Sequence, residues 1–178
     1  MKIIVPLIFL FVSVGLWAQD CEYVLNDDIT KSTPEFKIYD NSTPLETKKI
    51  YFSLYQENGV PFLIFKYSKN SKSFLPAICI NQGARLSFQL VNGTIVSLLK
   101  AGPETCSYSE ETEDKFQNNQ TVGSLFYLAP DDIKNLQGSK INLIGFRTTS
   151  DNESFVISSI SDQNQPRNYF IDNLHCIE

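Results

Sequence analysis

The chain has 178 residues, 42% of them hydrophobic and 20% charged, and a formal net charge of −5. This length gives room for one domain with a hydrophobic core of its own and hardly for two. Its 15 lysines and arginines are scattered instead of forming a basic face, which excludes nucleic acid as an expected partner.

The sequence opens with one positive charge, an apolar run over residues 3–16 and a polar exit, the layout of a secretory signal peptide. The run is shorter than the roughly 20 apolar residues that a membrane-spanning helix needs. We therefore expect a cleaved signal peptide at 1–18 and a single secreted or periplasmic domain at 19–178, with no transmembrane segment. Asp20, directly before Cys21, argues against lipid attachment to that cysteine.

Two alternating segments around Asn58-Gly59, KIYFSLYQE and VPFLIFKY, predict a β-hairpin with a two-residue turn. Such a turn pairs Phe52 with Phe65 on the core side and Tyr55 with Phe62 on the other. An aromatic platform on an exported sandwich can stack on sugar rings, although strand aromatics more often pack in the core or against cross-strand partners. The candidate binding surface that this pattern predicts consists of Tyr51, Tyr55, Phe62 and Tyr67.

Four cysteines in an exported chain predict two disulfides, with three alternative pairings. The segment ARLSFQLV-NG-TIVSLLKA predicts a second hairpin, in which a two-residue turn pairs Val91 with Thr94. Extending that ladder outward places Cys79 opposite Cys106, even if the glycines on the way disturb it. We therefore expect the disulfides Cys79–Cys106 and Cys21–Cys176, the second joining the two ends of the mature chain.

The remaining segments predict an all-β fold. INLIGFRTT-SDNE-SFVISSI reads as a third hairpin, and EFKIYD, SLFYLA and RNYFID as shorter strands. LAPDDIKNLQG is helical in pattern, with Pro130 in the first turn, Asp131 and Asp132 at the positive helix end, and Gly138 as the stop. About eight or nine short strands predict an antiparallel β-sandwich with one short helix, with an open β-barrel as the alternative.

Two stretches carry a family resemblance. GARLSFQLVNGTIVSLL, followed by a cysteine, and LFYLAPDDIKNLQGSKINLIGFR are similar to small uncharacterised secreted β-rich proteins of Bacteroidota-type bacteria. The signal ending in Ala-Gln also resembles exports of such bacteria. The resemblance covers about half the chain and implies an exported β-rich fold, but it brings no activity or binding residues.

Catalytic and metal-binding motifs are absent from the sequence. There is no Gly-x-Ser-x-Gly, His-Glu-x-x-His, Gly-rich phosphate loop or Cys-x-x-Cys. The one histidine, His175, stands beside Cys176 and is read as a surface or partly packed residue. An acidic insert lacks the Ca²⁺-loop order of ligands; its carboxylates are Glu110, Glu111, Glu113 and Asp114. We expect no catalytic residues, no cofactor and no metal site.

Three function classes follow. The first is a non-catalytic exported module that binds a protein or glycan partner at or outside the cell envelope. The second is a periplasmic inhibitor or immunity-type protein that uses the acidic 104–121 loop against a basic active site. The third, an unrecognised hydrolase, requires a cleft in which carboxylates or His175 have perturbed pKa values.

Overall fold

The structure is a computed structural model and describes residues 21–26, 30–109, 118–149, 151–157 and 166–177. The predicted signal peptide and the four carboxylates of the acidic insert lie outside these residues. The described chain forms twelve strands: β1 Leu25–Asn26, β2 Thr30–Ser32, β3 Phe36–Ser42, β4 Glu46–Glu57, β5 Val60–Ser71, β6 Cys79–Ile80, β7 Arg85–Leu90, β8 Ile95–Lys100, β9 Thr105–Cys106, β10 Asn118–Tyr127, β11 Ile141–Arg147 and β12 Asn152–Val156.

Two short helices accompany the strands: α1 Pro130–Gly138 and α2 Tyr169–Asn173. The first confirms the predicted helix, and the amide of Ala129 donates to the Asp132 carboxylate at its N-terminus over 3.4 Å. None of the helices in the described residues has the length and apolar character needed to cross a membrane.

The strands form a curved antiparallel sheet in the order β1-β2-β4-β5-β10-β8-β7-β11-β12, with β3 also paired to β4; β6 and β9 form a small separate sheet. Rings from strands that are not neighbours in this order meet in the core. The Phe52 and Phe88 centroids lie 5.8 Å apart, and those of Phe65 and Phe146 lie 4.8 Å apart. The two halves of the sheet therefore face each other, which confirms the all-β sandwich, and the sheet does not close into a barrel.

The β4–β5 hairpin has the predicted register, with Tyr55 opposite Phe62 and Phe52 opposite Phe65. Asn58 and Gly59 have φ values of 51° and 75°, as a two-residue turn of this kind demands. These two strands are the longest in the sheet, with 12 residues each, and their inner faces supply much of the core.

The segment predicted as the strand RNYFID is instead helical, so that prediction was wrong. Phe170, Leu174 and Ile177 are buried at helical spacing on α2 and the 3₁₀ turn that follows it. The Phe170 ring packs 5.8 Å from Phe52 and 5.1 Å from Phe88, which closes one end of the sandwich. Burial of one such ring contributes about 1.5–3 kcal/mol to folding.

Both predicted disulfides are confirmed. Cys21 and Cys176 have Cα atoms 5.6 Å apart and join the start of the described chain to its C-terminal turn. The Tyr23 hydroxyl adds a hydrogen bond of 2.9 Å to the Cys176 carbonyl. Cys79 and Cys106 face each other across the β6–β9 pair, with Cα atoms 4.0 Å apart.

Candidate binding surface

The outer face of β4 and β5 carries three of the four predicted surface aromatics. Tyr51, Tyr55 and Phe62 are half-buried there. Tyr67 lies on the inner face with 1% of its surface exposed, so its assignment to the binding surface was wrong. It shares the alternation of Leu63 and Phe65, which point into the core, and its ring packs 5.1 Å from that of a core phenylalanine.

Tyr55 and Phe62 belong to a row of side chains that crosses four strands. The Phe62 ring lies 6.1 Å from Tyr55 on one side and 6.1 Å from Tyr127 on the other. Tyr127 in turn pairs with Leu99 on β8. Tyr127 is 42% exposed and Leu99 47% exposed, so the far end of this row faces solvent. We call Tyr55, Phe62, Tyr127 and Leu99 the aromatic row.

Tyr51 stands apart from the aromatic row. It lies four residues from Tyr55 along β4, a distance of roughly 13 Å at strand spacing. Its ring instead receives the Lys66 ammonium at 5.3 Å, and Lys66 also forms an ion pair of 3.3 Å with Glu35. The structure therefore brings together two of the predicted surface residues and adds Tyr127 and Leu99.

An apolar groove of about 440 Å³ lies beside the aromatic row. Phe62, Ile64 and Leu125 form its apolar floor, the segment 101–103 forms one wall, and Glu57 lies at its rim. The wall exists because the chain leaves the ladder between β8 and β9, where Gly102 takes a φ of 76°. We call this concavity the apolar groove.

The buried Lys100 side chain supports the wall of the apolar groove. Its ammonium hydrogen-bonds to the carbonyl oxygens of Ala101, at 3.4 Å, and Pro103. Burial lowers the pKa of Lys100, and the charge of Glu104 partly opposes that shift. These carbonyl oxygens take the place of water around the ammonium. The hydrogen bonds from Lys100 hold the segment 101–103 in position.

A second cleft, of about 280 Å³, lies beside the Cys21–Cys176 disulfide and contains His175 and Asp172. His175 Nε2 is 3.5 Å from Cys21 Sγ and 3.6 Å from Cys176 Sγ. Burial raises the pKa of Asp172, while the charges of Lys140 and His175 oppose the shift. The cleft thus holds an acid–base pair, but the imidazole faces two sulfurs that are bonded to each other.

Two groups of metal-ligand type occur in the described residues. One joins Cys21 and Cys176 with a histidine, and the other joins Cys79 and Cys106 with a glutamate. In each group both sulfurs belong to a disulfide, so neither group offers the thiolates that soft metals prefer.

The 104–121 loop is partly strand. β9 covers its start, β10 covers its end from Asn118, and Tyr108 and Thr121 exchange backbone hydrogen bonds of 3.0 Å. Its acidic stretch lies within residues 110–117, outside the described part of the chain. The use of this loop against a basic active site stays a prediction.

The aromatic row and the apolar groove adjoin each other through Phe62, which belongs to both. Together they form a surface that combines partly exposed rings with an apolar concavity. Comparison of the chain with protein-family models, curated proteins and solved structures finds no match.

Proposed function

We propose that this chain is a non-catalytic, exported, disulfide-stabilised β-sandwich module that binds a protein partner through the aromatic row and the apolar groove. The observation that carries the proposal is the apolar groove itself, which lies beside two exposed side chains, Tyr127 and Leu99. Protein interfaces concentrate binding energy in aromatic and apolar contacts of this kind.

The ring geometry favours a protein partner over a glycan. A sugar stacks on a ring whose flat face is open to solvent. The Tyr55 and Phe62 rings are tilted by 39°, and Phe62 meets Tyr127 edge-on at 68°, so each ring partly covers the next. An apolar side chain inserted into the groove would bury its surface without needing a flat platform.

The negative charge around the apolar groove indicates which side chains a partner should present. Glu57 is exposed at the rim of the groove, and Glu104 is exposed next to its wall. The whole chain is acidic, with a formal charge of −5. A partner segment that presents an apolar side chain next to a lysine or arginine would match both the groove and its rim.

Two features support the exported and non-catalytic parts of the proposal. Two disulfides suit an oxidising compartment, in agreement with the signal peptide that the sequence predicts. The Nε2 atom of His175 faces the Cys21–Cys176 disulfide instead of a hydroxyl or thiol that it could activate.

A displayed peptide library, selected on the immobilised disulfide-bonded protein, tests the proposal. We expect the selected peptides to combine a large apolar residue with a neighbouring lysine or arginine. Leu125→Arg places a charge on the groove floor and should abolish binding of these peptides, and Tyr127→Ala should weaken it. Val156→Arg is the matched control, because Val156 is 62% exposed on β12, outside the groove.

Thermal unfolding by circular dichroism establishes that each variant is folded before its binding is compared. Peptides that bind the folded Leu125→Arg and Tyr127→Ala variants as well as the parent would refute the proposal. Oligosaccharide binding that disappears in Tyr127→Ala, with no peptide selected, would assign the surface to glycans instead.

A further inference from the structure

A further cavity lies on the other half of the sandwich. It is a groove of about 730 Å³ on the outer face of β7 and β11, a size that suits a small ligand. Its floor is Ser87 and Gly145, which pair across the two strands. The loop at 81–84 and the turn at 148–149 form its walls, and the amide of Thr149 donates to the Cys79 carbonyl over 2.9 Å.

Two arginines lie side by side in this groove. Phe146 pairs with Leu86, so the next step of the same antiparallel register places Arg147 beside Arg85. Both arginines are exposed and line the groove. Like charges directly opposite each other on a sheet destabilise it. Charged side chains often protect the edge strands of a sheet from pairing with another chain. That role does not explain the two arginines, because β7 and β11 are both interior strands.

No carboxylate of the described residues forms an ion pair with either arginine. The ion pairs of this part of the chain all involve lysines. Glu153 lines the groove, but Lys48 at 3.2 Å and the Tyr67 hydroxyl at 3.3 Å already bind its carboxylate. The groove therefore carries two adjacent positive charges in a chain whose overall charge is negative.

The chemistry around the arginines indicates the ligand. Arg85 Nη1 donates to the Ser97 carbonyl oxygen on β8 over 3.4 Å. Each guanidinium carries five N–H donors, so both arginines retain planar pairs of donors that match the oxygens of a carboxylate. Neutral side chains with amide or hydroxyl groups surround them: Asn81, Gln82, Ser87, Thr149 and Asn152. Amides and hydroxyls pair well with the hydroxyl groups of a sugar. The net negative charge of the chain would repel a long polyanion strongly. It would repel a ligand with one carboxylate much less.

We propose that the groove between Arg85 and Arg147 binds a uronic-acid-type sugar, with its carboxylate on the two guanidinium groups. This site is separate from the apolar groove. The two share no lining residue, so loss of one leaves the other intact. The exported module would then carry a glycan site in addition to its protein-binding surface.

Methyl β-glucuronide and methyl β-glucoside test this proposal, because they differ only in the carboxylate. Each sugar is titrated into the ¹⁵N-labelled, disulfide-bonded protein and followed by amide chemical shifts. We expect the glucuronide to produce saturable shifts at residues 82–87 and 145–149, and the glucoside to bind much more weakly. In Arg85→Gln/Arg147→Gln the glucuronide should bind about tenfold or more weakly, because both charged donors are lost.

Two further variants separate the site from general charge effects. Gly145→Val leaves both arginines in place but fills the groove floor, and should abolish binding. A Cβ at Gly145 would meet no neighbouring atom closer than 3.8 Å, so this variant should fold. Lys72→Gln/Lys134→Gln removes two exposed positive charges outside the groove and should bind like the parent.

Three outcomes would overturn the proposal. One is equal binding of the glucuronide and the glucoside, and another is no saturable shift at the groove. The third is an equal loss of binding in Lys72→Gln/Lys134→Gln. The blocked peptide Ac-Glu-Glu-NH₂ is titrated in parallel. If it binds more tightly than the glucuronide and depends on the same arginines, the groove takes acidic peptides and the sugar assignment is wrong.

Discussion

The Tyr67 hydroxyl donates a hydrogen bond of 3.3 Å to Oε1 of Glu153, joining β5 to β12 across the open side of the sandwich. Lys48 on β4 donates to the same carboxylate at 3.2 Å. Among the described strands β12 pairs only with β11, so these bonds connect the two halves of the sheet. Burial opposes the charge on Lys48, but Glu153 and Glu46 raise its pKa above the ordinary value; burial, followed by Glu153, raises the pKa of Tyr67.

Glu153→Gln should lower the free energy of unfolding by about 1–2 kcal/mol, because Tyr67 loses its charged acceptor and Lys48 loses the nearer of its two carboxylate partners. The Lys48 and Glu153 side chains are only 24% and 17% exposed, so water compensates poorly for the loss. Urea denaturation measures the change. Asp40→Asn is the control, because it breaks a more exposed ion pair, Lys37–Asp40, worth at most about 1 kcal/mol. Equal losses in the two variants would contradict this account.

The two disulfides should differ in their contribution to stability. Cys21–Cys176 closes a loop with a sequence separation of 155, and Cys79–Cys106 one with a separation of 27. In the chain-entropy model these loops contribute about 5 and about 3.5 kcal/mol. Urea denaturation of the two paired Cys→Ser variants should therefore show the larger loss for Cys21→Ser/Cys176→Ser. The reverse order would mean that strain or residual unfolded structure dominates the effect.

Asp172→Asn should stabilise the protein at neutral pH. Burial raises the pKa of Asp172 above its ordinary value of 3.8, so the folded state holds this proton more tightly than the unfolded state. Stability from this group is thus present below 3.8 and is lost as the pH rises through the folded pKa. Denaturation at several pH values should show an advantage of Asp172→Asn at pH 7 that disappears near pH 3. The same difference between Asp172→Asn and the parent at pH 3 and at pH 7 would contradict this account.

The two Asn-Gly turns should respond differently to substitution. Asn58 has a φ of 51°, so Asn58→Ala should cost about 1 kcal/mol of stability because alanine resists the left-handed region. Asn92 does not share that conformation, and its side chain accepts one exposed hydrogen bond of 3.0 Å from the Thr94 amide. Asn92→Ala should therefore cost about 0.5 kcal/mol. A larger loss for Asn92→Ala in urea denaturation would contradict the turn assignment.

The same turns show how far local sequence determines register. The β4–β5 pairing follows from Asn58-Gly59, but β7–β8 is shifted by one residue, with Ser87 facing Ser97 instead of Leu98. The Val91 amide donates to the Lys140 carbonyl over 2.9 Å, so Val91 is drawn out of the ladder by a residue distant in sequence. No local pattern contains that contact.

The predicted Cys79–Cys106 pair is correct although the register used to derive it was wrong. Gly83 and Gly102 both take a φ of 76° and interrupt the ladder on either side, after which β6 and β9 pair again in the predicted register. Proximity of the two cysteines therefore depended on the hairpin and not on its register.

The candidate site was only partly predictable. Alternation along β4 and β5 places Tyr55 and Phe62 outward, and the same alternation, applied to Tyr67, would have placed that residue in the core. Tyr127, Leu99 and the wall of the apolar groove depend on β10 lying between β5 and β8, an order that the sequence alone does not reveal.

Gly145→Val should raise stability while it removes the proposed sugar site. Gly145 lies inside the interior strand β11, where glycine is less favourable than a β-branched residue by about 0.5–1 kcal/mol. Nothing in the fold requires glycine there, since the nearest atom to an added Cβ is the Glu153 carbonyl oxygen at 3.8 Å. A glycine kept at some cost to stability is consistent with a floor that must stay open to a ligand. Urea denaturation should show a gain for Gly145→Val, and Gly145→Ala should fall between it and the parent. A loss of stability in both variants would mean that packing, and not ligand access, accounts for the glycine.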